Sequence, residues 1–377
     1  MLALTLLHAA SVFAADDARG AAEYERALEL LQKRDSQGAL IELKNAVQAA
    51  PGYLPAWLEL GRIYLDFGYG QLAEGAYERA SELGADASLT LLPRARSYLI
   101  QGKLDELLAL TPSGESTPAD QAALLVLQGN AQLESGEPEE ALQRFKRAER
   151  LAPRSAAALW GTSMARLRQG DVREALLYAD SAAALAPEQA ETWFVRAEVQ
   201  RQAGEVDAAL ADFSRAIELQ PEHMPARLGR AALLMDAGKL DEAAADLADV
   251  RRAQPDDLQA MHLYALLLAA QGKHVESEQV LDDARKRLKQ LPERVIAGNL
   301  PSLMLSATIA LKDDQPATAI AHLERYLARV PNHLGANKLL AAAYLRDAQA
   351  GAARALIEPL VSAHPDDAGL VWLLGTA

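Results

Sequence analysis

Glycine recurs along this chain at a fixed interval of 34 residues: Gly68, Gly102, Gly136, Gly170, Gly204, Gly238 and Gly272. With only 23 glycines among 377 residues, a seven-rung ladder is no accident of composition. A fixed period of this length marks an array of one supersecondary unit. Glycine is favoured where a helix ends in a left-handed cap, because it lacks the Cβ that penalises other residues there. The ladder therefore predicts one helix end per repeat and a solenoid of stacked helical hairpins.

Proline supplies a second ladder in the same period. Pro51, Pro153, Pro187, Pro221 and Pro255 are separated by multiples of 34, and Pro331 and Pro365 again differ by 34. The step from 255 to 331 is 76, or twice 34 plus eight, so eight residues are inserted there. Proline cannot continue a helix, so each one separates a repeat from the next. Repeats then begin near residues 20, 54, 88, 122, 156, 190, 224, 258, 300 and 334, with an eleventh opening near Ala368.

In that register the residues resemble the tetratricopeptide (TPR) repeat family. The family's pattern has a large residue at position 4, Leu-Gly at 7–8, Tyr at 11, Ala at 20, an aromatic at 24, Ala at 27 and Pro at 32. The second repeat supplies Trp57, Leu60, Gly61, Tyr64, Ala73, Tyr77 and Ala80. The fourth supplies Gly129, Ala141, Phe145, Ala148 and Pro153, and the sixth Trp193, Ala197, Ala209, Phe213, Ala216 and Pro221. The resemblance covers nearly everything after residue 20 and implies an all-α, right-handed α-solenoid of about ten helix-turn-helix repeats. Small residues belong at positions 8, 20 and 27, where the two helices approach closely. Bulky ones at 4, 7, 11 and 24 fill the space between neighbours, since one hairpin cannot bury its apolar face alone.

The array divides into repeats 1–3 (20–121), the most regular repeats 4–8 (122–291), and repeats 9, 10 and part of 11 (292–377) after the phase shift. Leu107 replaces alanine at position 20 of the third repeat, which then runs into the turn-rich segment 111–120. Ser163 and Arg166 at positions 8 and 11 of the fifth are expected to disturb its packing. Residues 284–302 suggest a lengthened second helix, an irregular connection and a kink or subdomain joint. Asp314 and Ala348 stand where the ladder would place glycine. The chain stops at Ala377 inside a first helix, so it reads as part of a longer array with Trp372, Leu373 and Leu374 exposed.

Composition narrows the function. A net charge of −14 and a pI near 5.1 argue against nucleic acid, which wants a basic stripe, and suit a solvated acidic surface or a basic or neutral partner. Cysteine is absent, which excludes disulfides, thiolate nucleophiles and cysteine metal sites. The first segment reads as a secretory leader. Leu2 to Phe13 is mostly apolar, and Val12-Phe13-Ala14 offers small residues for cleavage before Ala15, although a positive start is missing. An ordinary apolar helix start is the alternative. No later stretch reaches 18 uninterrupted apolar residues, so no spanning helix is expected.

No HExxH, GxSxG, P-loop or GxGxxG motif occurs, and the reading is of a non-enzyme without cofactor or metal. The histidines fall at unrelated repeat positions; His262 and His274 lie on successive helices and are read as solvated helix or turn residues. Acidic clusters such as 137–141 and 239–243 open second helices, where they complement the helix dipole. Binding remains, of protein or peptide segments. The family resemblance implies a concave groove lined by positions 2, 5, 9, 12 and 13 of each first helix. Those positions hold Val126, Asn130, Leu133, Trp160, Met164, Leu167, Phe194, Glu198, Arg201, Leu228, Met235 and His262. Trp160 and Phe194 are candidate anchors, or else pack against the adjacent repeat. Chaperone-binding members clamp a C-terminal carboxylate with basic and amide residues; here Asn130 alone fits, so an apolar or mixed segment suits the groove better.

Residues 39–110 go beyond the generic pattern. With "ALIELKNA", "LGRIYLDFG", "ELGAD" and "GKLDELL" they resemble the opening of the PEP-CTERM system TPR-repeat lipoproteins. That resemblance implies an exported, lipid-anchored envelope scaffold associated with exosortase sorting and exopolysaccharide production. The departure is the missing lipidation cysteine, which leaves a soluble periplasmic form or an incomplete start. The alternatives are a cytosolic adaptor or regulator, or the repeat part of an enzyme whose catalytic domain lies beyond Ala377.

Overall fold

A computed structural model describes residues 18–112, 116–291 and 293–377. The leader expected over 1–14 lies outside the described residues. Every regular element described is helical, and the helices follow one another in pairs. The described residues form two compact units, those up to 131 together with 150–153, and those of 132–149 together with 154–377.

The first unit pairs α1 (18–32) with α2 (Ser36–Ala49), α3 (Leu54–Asp66) with α4 (Gly70–Glu82), and α5 (Ala87–Gln101) with α6 (Leu104–Ala109). The division between units falls within α7 (Pro118–Ser135). After α8 (Pro138–Leu151) come the pairs α9 (Ala156–Arg168) and α10 (Val172–Leu185), α11 (Ala190–Ala203) and α12 (Val206–Leu219), and α13 (Met224–Asp236) and α14 (Leu240–Ala253). Then follow α15 (Leu258–Ala270) and α16 (His274–Lys289), the short α17 (Glu293–Gly298), α18 (Leu300–Lys312) and α19 (Pro316–Arg329), α20 (Leu334–Arg346) and α21 (Ala350–Ala363), and finally α22 (Ala368–Thr376). The architecture is the all-α solenoid of helical hairpins that the two ladders imply.

The close-approach positions behave as the register requires. Ala73, Ala80, Ala141, Ala148, Ala197, Ala209 and Ala216 are all fully buried. So are Phe145 and Phe213, the aromatics of position 24. These aromatics need space on the neighbouring helix: a Cβ built on Gly61 would lie 2.7 Å from the Tyr77 ring, and one on Gly229 would lie 2.6 Å from Phe213. The core is therefore a succession of local clusters, each bridging adjacent hairpins. Position 4 adds a polar tie. Trp57 Nε1 donates to the Pro51 carbonyl at 3.0 Å, Trp193 Nε1 to Pro187 at 2.8 Å, Arg227 Nε to Pro221 at 3.0 Å and Asn337 Nδ2 to Pro331 at 2.9 Å. In these four first helices the large residue thus also satisfies the carbonyl of the proline that ended the repeat before it.

Two expected disturbances do not occur. Ser163 is fully buried, and its hydroxyl donates to the Ala175 carbonyl at 2.8 Å, so the two helices still close tightly. Ser277 makes the mirror-image bond to Ala265. Arg166 lies along the surface and pairs with Glu174 at 2.8 Å and Asp171 at 3.3 Å. In the third repeat Leu107 is fully buried, filling the core of a pair whose second helix has only six residues. After the eighth repeat, α16 extends to 16 residues against 14 for α14, and the inserted residues form α17. The chain on both sides of this insertion belongs to one compact unit. At the end of the chain Trp372 is exposed, but Leu373 is buried beside Ile357 and Leu370, contrary to expectation, because α22 packs on the preceding pair.

All seven ladder glycines have left-handed backbone, with φ between 66° and 86°. Among the described residues, the non-glycine residues sharing that conformation are Arg34, Asp314 and Ala348, with φ of 61°, 55° and 57°. They occupy the same place in the turn. Gln349 donates back to the Tyr344 carbonyl at 2.8 Å across Ala348, as Glu137 does to Gln132 across Gly136. The turn geometry is thus fixed by the helix termination and holds even where the side chain resists it. Ala348→Gly is expected to raise stability by about 0.5–1 kcal/mol, the relieved left-handed strain exceeding glycine's entropy cost. A urea midpoint unchanged or lowered by this substitution would contradict that account.

Candidate functional site

The residues assigned to the groove separate into three environments. In the first unit, Val126 and Asn130 are half-buried on α7. In the second, Trp160, Met164, Leu167, Phe194, Glu198, Arg201 and Met235 are also half-buried. Leu133, Leu228 and His262 are buried, with no more than 8% exposed. These three are withdrawn from the accessible face. Leu228 packs with Leu247 and Val250 in the core between α13 and α14. His262 meets Thr308 Oγ1 on α18 through Nε2 at 3.0 Å. The expectation of a solvated His262 fails because α18 covers it. Burial, and secondarily His333, pushes its pKa down to about 4.

The two candidate anchors also pack inside the array. Trp160 Nε1 donates to Thr192 Oγ1 on α11 at 3.1 Å. Phe194 stacks at 5.1 Å from the His223 ring and 6.2 Å from Phe213, within the cluster containing Ala190 and Ala226. Each shows solvent only part of its ring. His223 and His333 act as helix caps: Nδ1 accepts from Ala226 N and Ala336 N, both at 3.1 Å. This fixes the proton of neutral His223 on Nε2, which faces Glu191 Oε2 at 3.1 Å. Contrary to the reading of unrelated repeat positions, both stand at the last position of their repeats, and the shared Pro-x-His spacing, 221 to 223 and 331 to 333, is the signal that marks them.

Charged groups on this face lie close enough to shift one another. Glu198 and Arg201 are joined at 2.7 Å, and the carboxylate's field raises the Arg201 pKa against its burial. Tyr326 on α19 is buried, which raises its phenol, while Arg168 and Arg201 oppose that shift. His333 is held down to about 4 by burial and next by Arg201. Asp236 is raised by burial, opposed by Lys338 and then Arg201. Positions 12 and 13 of successive first helices therefore share an electrostatic environment with α19 and α20. A repeated ion pair escaped the motif reading. Arg196 is bidentate to Asp212 at 2.6 and 2.8 Å, and Arg230 is bidentate to Asp246 at 2.7 Å. Both pairs span 16 residues and recur after 34, tying position 7 to position 23 across a hairpin. Their common period was the available clue.

Acidic residues do open second helices, as with Glu139 and Glu140 on α8 and Asp241 and Glu242 on α14. Among the described residues no group of three or more metal-ligating side chains is arranged to hold an ion. No described helix is long and apolar enough to cross a membrane. What the face offers is a set of half-buried apolar and charged side chains held on rigid helices, a surface for contacting another chain.

Two family descriptions match, each that of the tetratricopeptide repeat: one over residues 126–190 and 162–223, the other over 200–267 and 310–376. Together they take in more than half of the chain. Among solved structures, a tetratricopeptide repeat protein from Parabacteroides merdae is similar at 20% identity, with 68% of this chain and 98% of that one covered and a TM-score of 0.43. Yeast Tom70 is similar at 16% identity, with 96% of each chain covered and a TM-score of 0.42. The Cut9–Hcn1 hetero-tetramer of APC/C is similar at 17% identity, covering 96% of this chain and 84% of that one with a TM-score of 0.48. No curated protein sequence gives a significant match.

Proposed function

The chain belongs to the tetratricopeptide repeat family, and we propose that it is a non-catalytic scaffold of the bacterial envelope that gathers protein segments for exopolysaccharide production or PEP-CTERM/exosortase sorting. The repeats make it a protein–protein interaction scaffold. One observation carries the binding reading: Trp160, Met164, Leu167, Phe194, Glu198 and Arg201 are half-buried along α9 and α11, so apolar and charged surface is offered on elements that stay rigid. A partner segment of mixed apolar and charged character, a helix for example, fits such a face. The envelope assignment rests on the leader-like first segment and on the likeness of residues 39–110 to the PEP-CTERM-associated scaffolds.

Expression of the intact chain in a bacterium followed by fractionation is expected to place a protein cleaved before Ala15 in the periplasmic or envelope fraction. An uncleaved cytosolic protein would instead assign it to a cytosolic adaptor. Envelope proteins captured by the wild type are expected to be lost with Met164→Glu at unchanged helicity. Equal capture by both would remove the α9–α11 face from the binding surface.

A further inference from the structure

The seven ladder glycines have the same backbone but not the same surroundings. A Cβ built on Gly68, Gly102, Gly204, Gly238 or Gly272 would meet nothing within 4 Å among the described residues. On Gly136 it would lie 3.4 Å from Arg329 Cγ and 3.7 Å from Arg329 Cα, and on Gly170 it would lie 3.2 Å from Asn332 Nδ2. Both neighbours come from the junction of α19 and α20, about five repeats further along the chain.

Polar bonds join the same places. Arg329 Nη2 reaches Glu134 Oε2 at 2.9 Å, an ion pair between residues 195 apart in sequence. In return Arg168 Nη1 donates to the carbonyl of Arg329 at 3.1 Å. Arg329 is the last residue of α19, so Arg168 caps one of the carbonyls that a helix end leaves without an internal partner. Arg329 Nη1 is held by the Gly298 carbonyl at 2.7 Å, which orients the guanidinium toward Glu134. The arginine side chain is 12% exposed, whereas Glu134 is 47% exposed. All these residues lie in the second compact unit.

From this geometry we infer that repeats 9 and 10 form an intramolecular latch, with the α19–α20 corner seated on the C-terminal ends of α7 and α9 so that the second unit closes over part of its own inner face. Glu134, Arg168 and Arg201 occupy positions 12 and 13 of their repeats, the edge at which the family resemblance places partner contacts. The corner therefore occupies the place a partner would take, and a partner gains that edge only when the latch opens. The inference rests on reading the inner face as the binding surface. It adds that this surface is regulated by the chain's own C-terminal repeats.

The contact is suited to opening. Its direct polar bonds at α7 and α9 are one half-exposed ion pair and one helix-end cap, with small residues at the seat. Salt weakens such a pair, the screening length falling from about 10 Å at 0.1 M to about 3 Å at 1 M. Removing charge-assisted bonds of this kind changes an equilibrium by about ten- to a hundredfold.

Because the chain has no cysteine, two introduced thiols carry spin labels without background. Glu140→Cys on α8 and Ala321→Cys on α19 are exposed and lie outside the latch bonds. Pulsed dipolar spectroscopy on the full chain is expected to give one dominant short distance at low salt. Glu134→Arg combined with Arg168→Ala is expected to move the dominant population to longer distances, lowering the closed-to-open ratio about ten- to a hundredfold. Glu134→Arg paired with Arg329→Glu is expected to recover the closed distance more fully than Glu134→Arg alone. Unchanged helicity and melting in each variant separate opening from unfolding. A wild type already broad and long at low salt, or distances unmoved by the double variant, would overturn the latch. The distances are read with no partner present, so their failure leaves the scaffold reading intact, and failed capture of envelope proteins leaves the latch intact.

Discussion

Phe145→Ala is expected to destabilise the second unit by about 3–5 kcal/mol. Phe145 is fully buried on α8, and its ring lies against Gly161 on α9, so it belongs to two repeats at once. The cavity left behind cannot collapse easily, because Ala141, Ala148 and Ala158 around the same interface are already small and fully buried. In a repeat array each hairpin draws much of its stability from its neighbours, so damage at one interface also lowers the cooperativity of the whole. Chemical denaturation followed by circular dichroism is expected to show an earlier transition, broadened or split into two steps. A single transition at the wild-type midpoint would show that this interface is not a structural joint. The opposite error is expected to cost as well. A Cβ on Gly161 falls within the van der Waals envelope of the Phe145 ring, so Gly161→Ala overpacks the site and loses about 1–3 kcal/mol. Because the two residues touch, Gly161→Ala combined with Phe145→Leu should cost less than the sum of the single changes.

Phe145 and Gly161 also show what could and could not be read from the sequence. The glycine and proline ladders are one-residue signals set by backbone geometry, and they place the turns they mark without reference to a partner. Position 24 was legible because a large aromatic must recur wherever two hairpins meet. Gly161 carried a weaker mark, shared at its repeat position with Gly229 two periods on. It stands at position 6, not in the ladder, and needs to be glycine only because of a ring in the previous repeat. The buried Ser163 is a similar case, since a hydroxyl at a close-approach position reads as a defect until its bond to Ala175 is seen. The groove assignment was limited differently. Position numbers identify the inner side of each first helix, but whether a side chain there meets solvent depends on more distant chain. Thr308 lies 46 residues from His262, and Arg329 lies 195 from Glu134. A period of 34 is silent about contacts that do not repeat.

Acidification from pH 8 to pH 5 is expected to remove roughly 2 kcal/mol of stability through His262 alone. Its folded pKa is about 4, below the ordinary 6.5, because burial beneath α18 disfavours the imidazolium and His333 adds to the effect. The sign follows from which state takes up the proton. Above about pH 6.5 the ring is neutral in both states, and this contribution to stability is intact. As pH falls from 6.5 toward 4 the unfolded chain protonates and the folded chain does not, so stability drops by up to about 1.4 kcal/mol per pH unit. Below about 4 the folded form protonates too and the loss levels off. His333, also held at about 4 by burial and then by Arg201, acts in the same window and direction. The two effects reinforce each other, since a proton on one ring raises the cost of a proton on the other. Urea unfolding at pH 8, 6 and 5 is therefore expected to give a falling midpoint for the wild type. His262→Gln provides the comparison, as it cannot titrate and can still hydrogen-bond Thr308. Any carboxylate contributions are common to both proteins, so the difference in slope isolates the histidine. The variant should lose about one proton of pH dependence between 6.5 and 4, and equal slopes would mean that His262 is not sealed by α18.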